Sequence, residues 1–446
     1  MIKRIKIVFD MLVSLFSKII REQYSISYWE HYHIITRIKS YLNFKFHKKY
    51  LLVNSIDNLK VGKELLFSKE NRISSVESPL LVTKEGNKYK INLEGGICDI
   101  SVYMLKNAFV CAGTDLIGDK NAFYHYELLN MEAQHDLKAA DIFKKSTNDK
   151  YKKIENLNDI LNLQDQYLIF NNKTLRFNDN TIYISLLKEH SVNYYHWITE
   201  IMPRLIVIRD ALNSNNISLN ECTILIDNNM PKQIFETISV VLGTDIRIKI
   251  IERANLVYCK KIIYCTPLWL SLDNTKGLPN PRKEFFLDKH ALDIVKEAII
   301  SKVDFYKEKP KRMIYLQRLN NKLRPISNLD LLEDMIEKLG FEFIDVGILT
   351  FKEQLKLFSE AKLVIGVSGA AFTNILFMQP ESYAISLYPS TKSTNYYVFQ
   401  PLADSAGVNL IHFLTKPKKG EVNVHAEASV NIKRLRKVIL EVIEND

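Results

Sequence analysis

Residues 363–374 read Leu363-Val-Ile-Gly-Val367-Ser368-Gly369-Ala370-Ala371-Phe-Thr373-Asn374. A run of five apolar residues is short for a buried helix and suits a strand covered on both faces, the position that a parallel sheet provides. Ser368-Gly369 predicts a tight turn that leads directly into a helix from about Ala370. The neighbouring sequence repeats this unit. Met313–Leu316, Phe341–Ile344, Tyr383–Leu387 and Val408–Leu414 are further apolar runs. Between them, Asn328 is placed to cap a helix that Gly340 stops, and Thr350-Phe-Lys-Glu353 has the capping-box pattern of a helix running to about Ala361. Helical spacing returns over 395–405 and 430–444. Five strands alternating with helices predict a doubly wound sheet, whose ligands sit outside the strands' carboxyl ends. On that rule Gln317, Arg318, Asp345, Ser368, Gly369, Tyr388 and Pro389 line one crevice.

Towards the N-terminus the pattern changes. Short alternating runs between about 50 and 190 predict strands, ending in one at Thr181–Leu187. A helix is expected over about 195–213, a buried strand at Thr223–Ile226 and a helix over about 231–242. Pro267, Gly277, Pro279 and Pro281 then interrupt the periodicity and place a connection between domains near 267–285.

The chain has 446 residues, enough for two or three domains with cores of their own, and 47% of them are apolar. Glycine and proline are too few for a collagen-like or broadly disordered chain. Five cysteines, odd in number, dispersed and without a C-x-x-C pair, give neither a disulfide framework nor a zinc knuckle, so a reducing compartment fits. No uninterrupted apolar stretch is long enough to span a bilayer. The formal charge is +10, and +7 of it falls in residues 1–50, where ten Lys/Arg face three acids beside Phe9, Leu12, Leu15, Phe16 and Ile19. Such a helical basic segment suits either an anionic membrane surface or a solvated face packed on its own domain. A basic groove for nucleic acid would need the charge on a folded module instead.

Two stretches carry candidate chemistry. In Asn193-Tyr194-Tyr195-His196-Trp197-Ile198-Thr199-Glu200, the i, i+4 spacing places His196 and Glu200 on one helix face. There a carboxylate could orient an imidazole base, and an interior pair holding the helix to the sheet would have the same spacing. The turn at Ser368–Asn374 could let backbone amides approach a phosphate, with Arg318 and Arg324 as guanidinium forks, or could simply permit tight packing. There is no Asp-x-Asp and no second histidine spaced for zinc, so no metal and no cofactor are expected.

Taken in order, Tyr195-His196-Trp197 with Glu200 and Pro203-Arg204-Leu205, then Arg312 to Arg318 with Arg324 to Asn328, then Gly369-Ala370 through Thr373-Asn374 to Phe377 and Pro380, resemble glycosyltransferase family 61, including bacterial capsular-polysaccharide enzymes. The chain departs from that family's pattern at Ser368 and Ser386. The resemblance implies a GT-B-like fold, with two Rossmann-like doubly wound halves facing a cleft. It implies a nucleotide sugar held mainly by the second half and transfer with inversion to a glycan or lipid-linked acceptor, without a metal. Domains are then expected at 1–50 (basic segment), 51–280 (acceptor side) and 281–446 (nucleotide-sugar side). His196 is the expected base, Glu200 its orienting partner and Asp345 a weaker catalytic candidate. Arg318, Arg324, Asn328, Ser368, Gly369, Ala370, Ala371, Thr373, Asn374, Tyr195 and Arg204 are the expected substrate contacts. Action at the inner face of the plasma membrane, through peripheral contact of the N-terminus, follows from the same reading. A nucleotide-sugar epimerase or hydrolase of similar fold, and a basic nucleic-acid-binding protein, are the alternatives.

Overall fold

The computed structural model describes residues 48–53, 55–70, 74–76, 80–82, 88–89, 93–95, 99–124, 140–145, 151–154, 166–170, 174–271, 285–287, 289–306, 308–318, 323–391, 394–395, 397–419 and 425–444. Residues 1–47 of the basic segment, and with them the expected membrane contact, lie outside the described residues. The chain is a mixed α/β protein built on two large sheets.

The second sheet follows the sequence closely. Its parallel strands are Arg312–Leu316, Glu342–Ile344, Ala361–Val367, Tyr383–Pro389 and Asn409–Pro417, and their spatial order is second, first, third, fourth, fifth. The order reverses between Arg312–Leu316 and Ala361–Val367, and such a switch point is where open α/β sheets place their ligands. Both faces are apolar, as a doubly wound sheet requires. Ile314, Val364 and Ala384 face one core, while Tyr315, Ile365 and Ile385 face another with Leu332 and Ile336 of the helix Leu329–Lys338 and Leu435 and Ile439 of the helix Ile432–Glu444. Gly366 is needed where the two switch-point strands meet, because a Cβ there would lie 2.8 Å from that of Leu316.

Local signals in this half hold with two changes. The Thr350/Glu353 capping box is formed in both directions, and Gly340 takes a left-handed conformation at its helix stop. The helix after Gly369, however, is a 3-10 helix over Ala370–Phe377, and Asn328 does not cap with its side chain. Beyond the fifth strand the sheet continues into Leu80–Val82, paired parallel to Ile411–Phe413, and then Lys88–Tyr89. A stretch from early in the chain therefore completes the second sheet.

Among the described residues the first sheet has twelve strands and is mostly antiparallel. Thr174–Ser185, Cys222–Asp227 and Arg247–Ile251 run parallel side by side, and Leu256–Cys265 is parallel to the first of them and antiparallel to Ile100–Cys111. This half is thus not doubly wound across its width. Helices cover one face, but on the other Tyr183, Leu225 and Ile262 pack against Val53, Ile117, Ala122 and Tyr124 from other strands of the same sheet. The Pro-rich break is flanked by a short antiparallel pair, Trp269–Ser271 with Phe285–Leu287. A helix over Lys289–Ile300, not evident from the sequence pattern, follows it.

One continuous apolar core joins the sheets. It takes Ile184 and Ile224 from the first, Ile314 and Val364 from the second, and Leu205, Leu292, Phe372 and Leu402 from helices between them. Each fully buried side chain of this size contributes about 1.5–3 kcal/mol, so the halves are held together by packing. Cys111, Cys222, Cys259 and Cys265 are buried free thiols.

Candidate active site

The helix that carries His196 is interrupted at the point of interest. One α turn, Tyr194–His196, opens on Asn193, whose side chain accepts from the Tyr195 N–H at 2.9 Å. Trp197–Ile201 then forms a π turn, with the Met202 N–H bonded to the Trp197 carbonyl, before α geometry resumes over Met202–Ser214. Such turns are rare and recur at functional sites. Trp197 anchors this one, being fully buried with its indole N–H 2.8 Å from Thr237 Oγ1.

Within the turn, His196 Nδ1 lies 2.7 Å from Glu200 Oε1. The other carboxylate oxygen is 3.1 Å from Lys188 Nζ, which is 3.9 Å from Asp115, and Asp115 receives both NH groups of Arg204 at 2.8 and 2.6 Å. Opposite charges therefore alternate through a buried chain that ends at the imidazole. Burial alone would raise the Glu200 pKa; the ammonium of Lys188 and then His196 overcome it and hold the carboxyl at about 2. An ionised Glu200 only accepts, so a neutral His196 carries its proton on Nδ1 and leaves the Nε2 lone pair to act as a base. Asp115 likewise outweighs the desolvation of Arg204 and raises its pKa.

Asp227, at the end of its strand, fixes the approach to this helix. It accepts from the Gly113 N–H at 2.5 Å, the Lys188 N–H at 3.1 Å and the Ser191 hydroxyl at 2.6 Å, and its pKa is raised by burial.

The second sheet builds a different site at its switch point. Arg318 follows the first strand and packs against Gly369, and its NH1 reaches the Leu323 carbonyl at 3.3 Å. Arg324, in left-handed backbone, donates to the Ser368 carbonyl at 2.6 Å and lies 5.9 Å above the ring of Tyr388. Its N–H donates to the His425 carbonyl at 3.1 Å. Burial and then Arg324 lower the pKa of Arg318, and burial and then the two arginines lower that of His425. Two guanidiniums and an imidazole whose protonation they disfavour thus share one place.

The two sites meet at a seam. Tyr194 Oη donates to Asn374 Oδ1 at 2.7 Å, Asn374 donates to Gln354 Oε1 at 3.0 Å, and Tyr195 Oη donates to the Val398 carbonyl at 3.1 Å. The turn that bears His196 therefore rests directly on the 3-10 helix that follows Gly369.

These positions correct several expectations. Arg204 is no surface for substrate, because it is buried and bound to Asp115. Asn328 bonds both ways to the Val430 backbone, at 2.8 and 3.0 Å, and so ties down the closing helix. Asn374 and Tyr195 hold the seam, and Thr373 is fully buried. Asp345 caps the turn after its strand by accepting from the Gly347 N–H at 2.9 Å. His196 with Glu200, and Arg318 with Arg324, Ser368 and Gly369, are brought together, with Ala370 and Ala371 half-buried beside them. Lys188, Asp115, Asp227 and His425 were missed. Only the sheets bring them in; Asp115 lies 89 residues from Arg204. Among the described residues, no cluster of three or more His, Cys, Asp or Glu is arranged to hold a metal.

Residues 194–385 match the family model of Glycosyltransferase 61. The matched segment is less than half of the chain; it includes His196, Glu200, Arg204, Arg318, Arg324, Gly369 and Asn374 and leaves out Asp115, Lys188, Tyr388, Val398 and His425. It supports assignment as a glycosyltransferase, and the family implies a nucleotide-sugar donor and a glycan acceptor. No curated protein matches the chain. Among solved structures, the bacterial iron-containing dodecameric glycosyltransferase TibC from enterotoxigenic E. coli H10407 is similar at 10% identity over 78% of this chain and 82% of that one, with a TM-score of 0.22. A score that low carries no argument about this chain.

Proposed function

We propose that the protein is an inverting, metal-independent glycosyltransferase that adds a sugar from a nucleotide-sugar donor to a growing surface glycan. The observation that carries this reading is the seam. It ties the turn that carries the carboxylate-oriented imidazole of His196 to the 3-10 helix that follows Gly369, and so supports a proton acceptor and an anion site that act together.

In the proposed step, His196 Nε2 takes the proton of an acceptor hydroxyl as its oxygen attacks the anomeric carbon. The bond from that carbon to the diphosphate oxygen breaks, and the nucleoside diphosphate leaves with the electron pair. Arg318 and Arg324 meet the charge that develops on the leaving group. They stand in fixed positions before the reaction, which is what makes such stabilisation effective. Attack from the face opposite the leaving group gives inversion. Glu200 is a positioning residue that holds the tautomer, and Lys188 keeps it ionised. The two sites support a GT-B-like division of labour, with the acceptor on the first half and the donor on the second. The basic, apolar sequence of residues 1–50 supports peripheral contact with the inner face of a membrane. Among the described residues no helix is long and apolar enough to cross one.

The test is sugar transfer by the full chain from a panel of nucleotide sugars. His196→Gln should lower kcat by about 10²- to 10⁴-fold, with donor KM and melting temperature little changed. Glu200→Gln should lower kcat less, again without raising donor KM. Donor turnover that needs no acceptor, or a His196 variant of normal rate and lowered stability, would refute the reading.

A further inference from the structure

Beside His196 lies a cavity of about 480 Å³, within the range of small-molecule sites, that the step above does not use. It opens where the chain leaves the parallel strands of the first sheet, and its lining includes Gly113, Glu189, His190, Val192, Asn229 and Arg253. The ring of His190 is 5.3 Å from that of His196, so the cavity is one ring removed from the proposed base.

Its wall is strained. His190, Asn229 and Ala254, all lining it, have positive φ values of 57°, 61° and 66°, and Gly113 has 75°. For residues with a Cβ the left-handed region costs roughly 1–2 kcal/mol and persists only where neighbours enforce it. Here they do. Ala254 and Ala112 are bonded through their backbones at 2.8 Å, the Asn193 N–H holds the His190 carbonyl at 2.8 Å, and Asp227 grips Gly113, Lys188 and Ser191. Gly113 also makes room for a guanidinium: a Cβ at that position would sit 3.0 Å from Arg253 Nε.

The lining selects its occupant by hydrogen-bond chemistry. Arg253 offers donors alone, an ionised Glu189 acceptors alone, and the Asn229 amide both. A phosphate or carboxylate would meet Glu189, and an ammonium would meet Arg253. A hydroxyl both donates and accepts, so a neutral ligand with several hydroxyls satisfies both ends, while His190, whose Nε2 lies 4.0 Å from Glu189 Oε1, and Val192 offer a ring face and an apolar surface to its C–H groups.

We propose that this cavity is the acceptor subsite and that it holds a neutral sugar residue through its hydroxyls. The assignment to the acceptor rests on the proposed transfer reaction; the preference for a neutral sugar rests on the lining alone.

Saturation-transfer NMR on the full chain, with methyl glycosides of glucose, galactose, mannose, N-acetylglucosamine and glucuronic acid, tests it. At least one neutral glycoside should bind, and Arg253→Gln and Glu189→Gln should each weaken it about tenfold or more, the factor expected for a hydrogen bond to a charged group. Binding of UDP, GDP and TDP to the same variants should be unchanged. Absence of binding by every neutral glycoside, unchanged binding in both variants, or binding of the glucuronide alone would overturn the proposal. Glycoside binding lost in the variants, in a protein that transfers no sugar, would leave the subsite standing and remove the proposed function. Normal transfer by both variants at low acceptor concentration would remove the subsite and leave the function.

Discussion

Around His196 each charge is met by an opposite one: Glu200 by Lys188, and Asp115 by Arg204, all buried. Around Arg318 like charges gather, and burial with the neighbouring guanidinium lowers its pKa. The first arrangement is balanced in charge and suits holding one proton in one place. The second is costly until an anion arrives, which suits a site that must bind a diphosphate and meet its growing charge. The hydrogen bond from Tyr194 to Asn374 links the two regions.

That contrast breaks most visibly at Arg204. Arg204→Met leaves Asp115 buried without its bidentate partner and should cost about 3–5 kcal/mol in denaturant unfolding. Arg318→Met should cost far less, or stabilise, because it relieves repulsion. Equal losses would erase the distinction between a matched network and a gathered one.

Acid should act on the first half next. Glu200 has a folded pKa near 2, below its ordinary 4.5. Its stabilising contribution is therefore full above about pH 4.5 and fades as pH falls towards 2, on the order of 3 kcal/mol in all. Stability curves of the wild type and Glu200→Gln, measured from pH 7 to pH 3, should converge as pH falls. Parallel curves would mean that Lys188 does not hold the carboxylate ionised.

The seam should show the smallest effect. Tyr194→Phe removes the bond to Asn374 and should cost about 1 kcal/mol, with transfer falling more than nucleotide affinity. A stability loss with no change in transfer would make the contact packing alone.

How much of this was legible in the sequence follows the same division. In the second half each strand is an apolar run and helices carry local signals, such as Thr350 with Glu353 and the stop at Gly340, so the five strands and their alternation with helices could be read directly, whereas their spatial order and switch point came only with the pairing of the strands. The strand Leu256–Cys265 escaped notice because Lys260 and Lys261 interrupt it and its neighbours run in both directions. Likewise, the exposed Leu65 and Phe67 blur the alternation of Gly62–Lys69. His196 and Glu200 were visible because four residues separate them. Lys188 and Asp115 were not, since no local pattern marks a charge whose partner arrives through the sheet. The π turn also left no periodic trace.

The central claim is that the first half moves the proton and the second holds the leaving diphosphate. Its most direct test measures, on the same preparations of His196→Gln and Arg318→Ala, the single-turnover transfer rate at saturating donor and the affinity for the nucleoside diphosphate. The account predicts that His196→Gln slows transfer about 10²- to 10⁴-fold with affinity unchanged, and that Arg318→Ala weakens affinity by about 1.5–3 kcal/mol. Lost affinity in the His196 variant together with unchanged affinity in the Arg318 variant would contradict it.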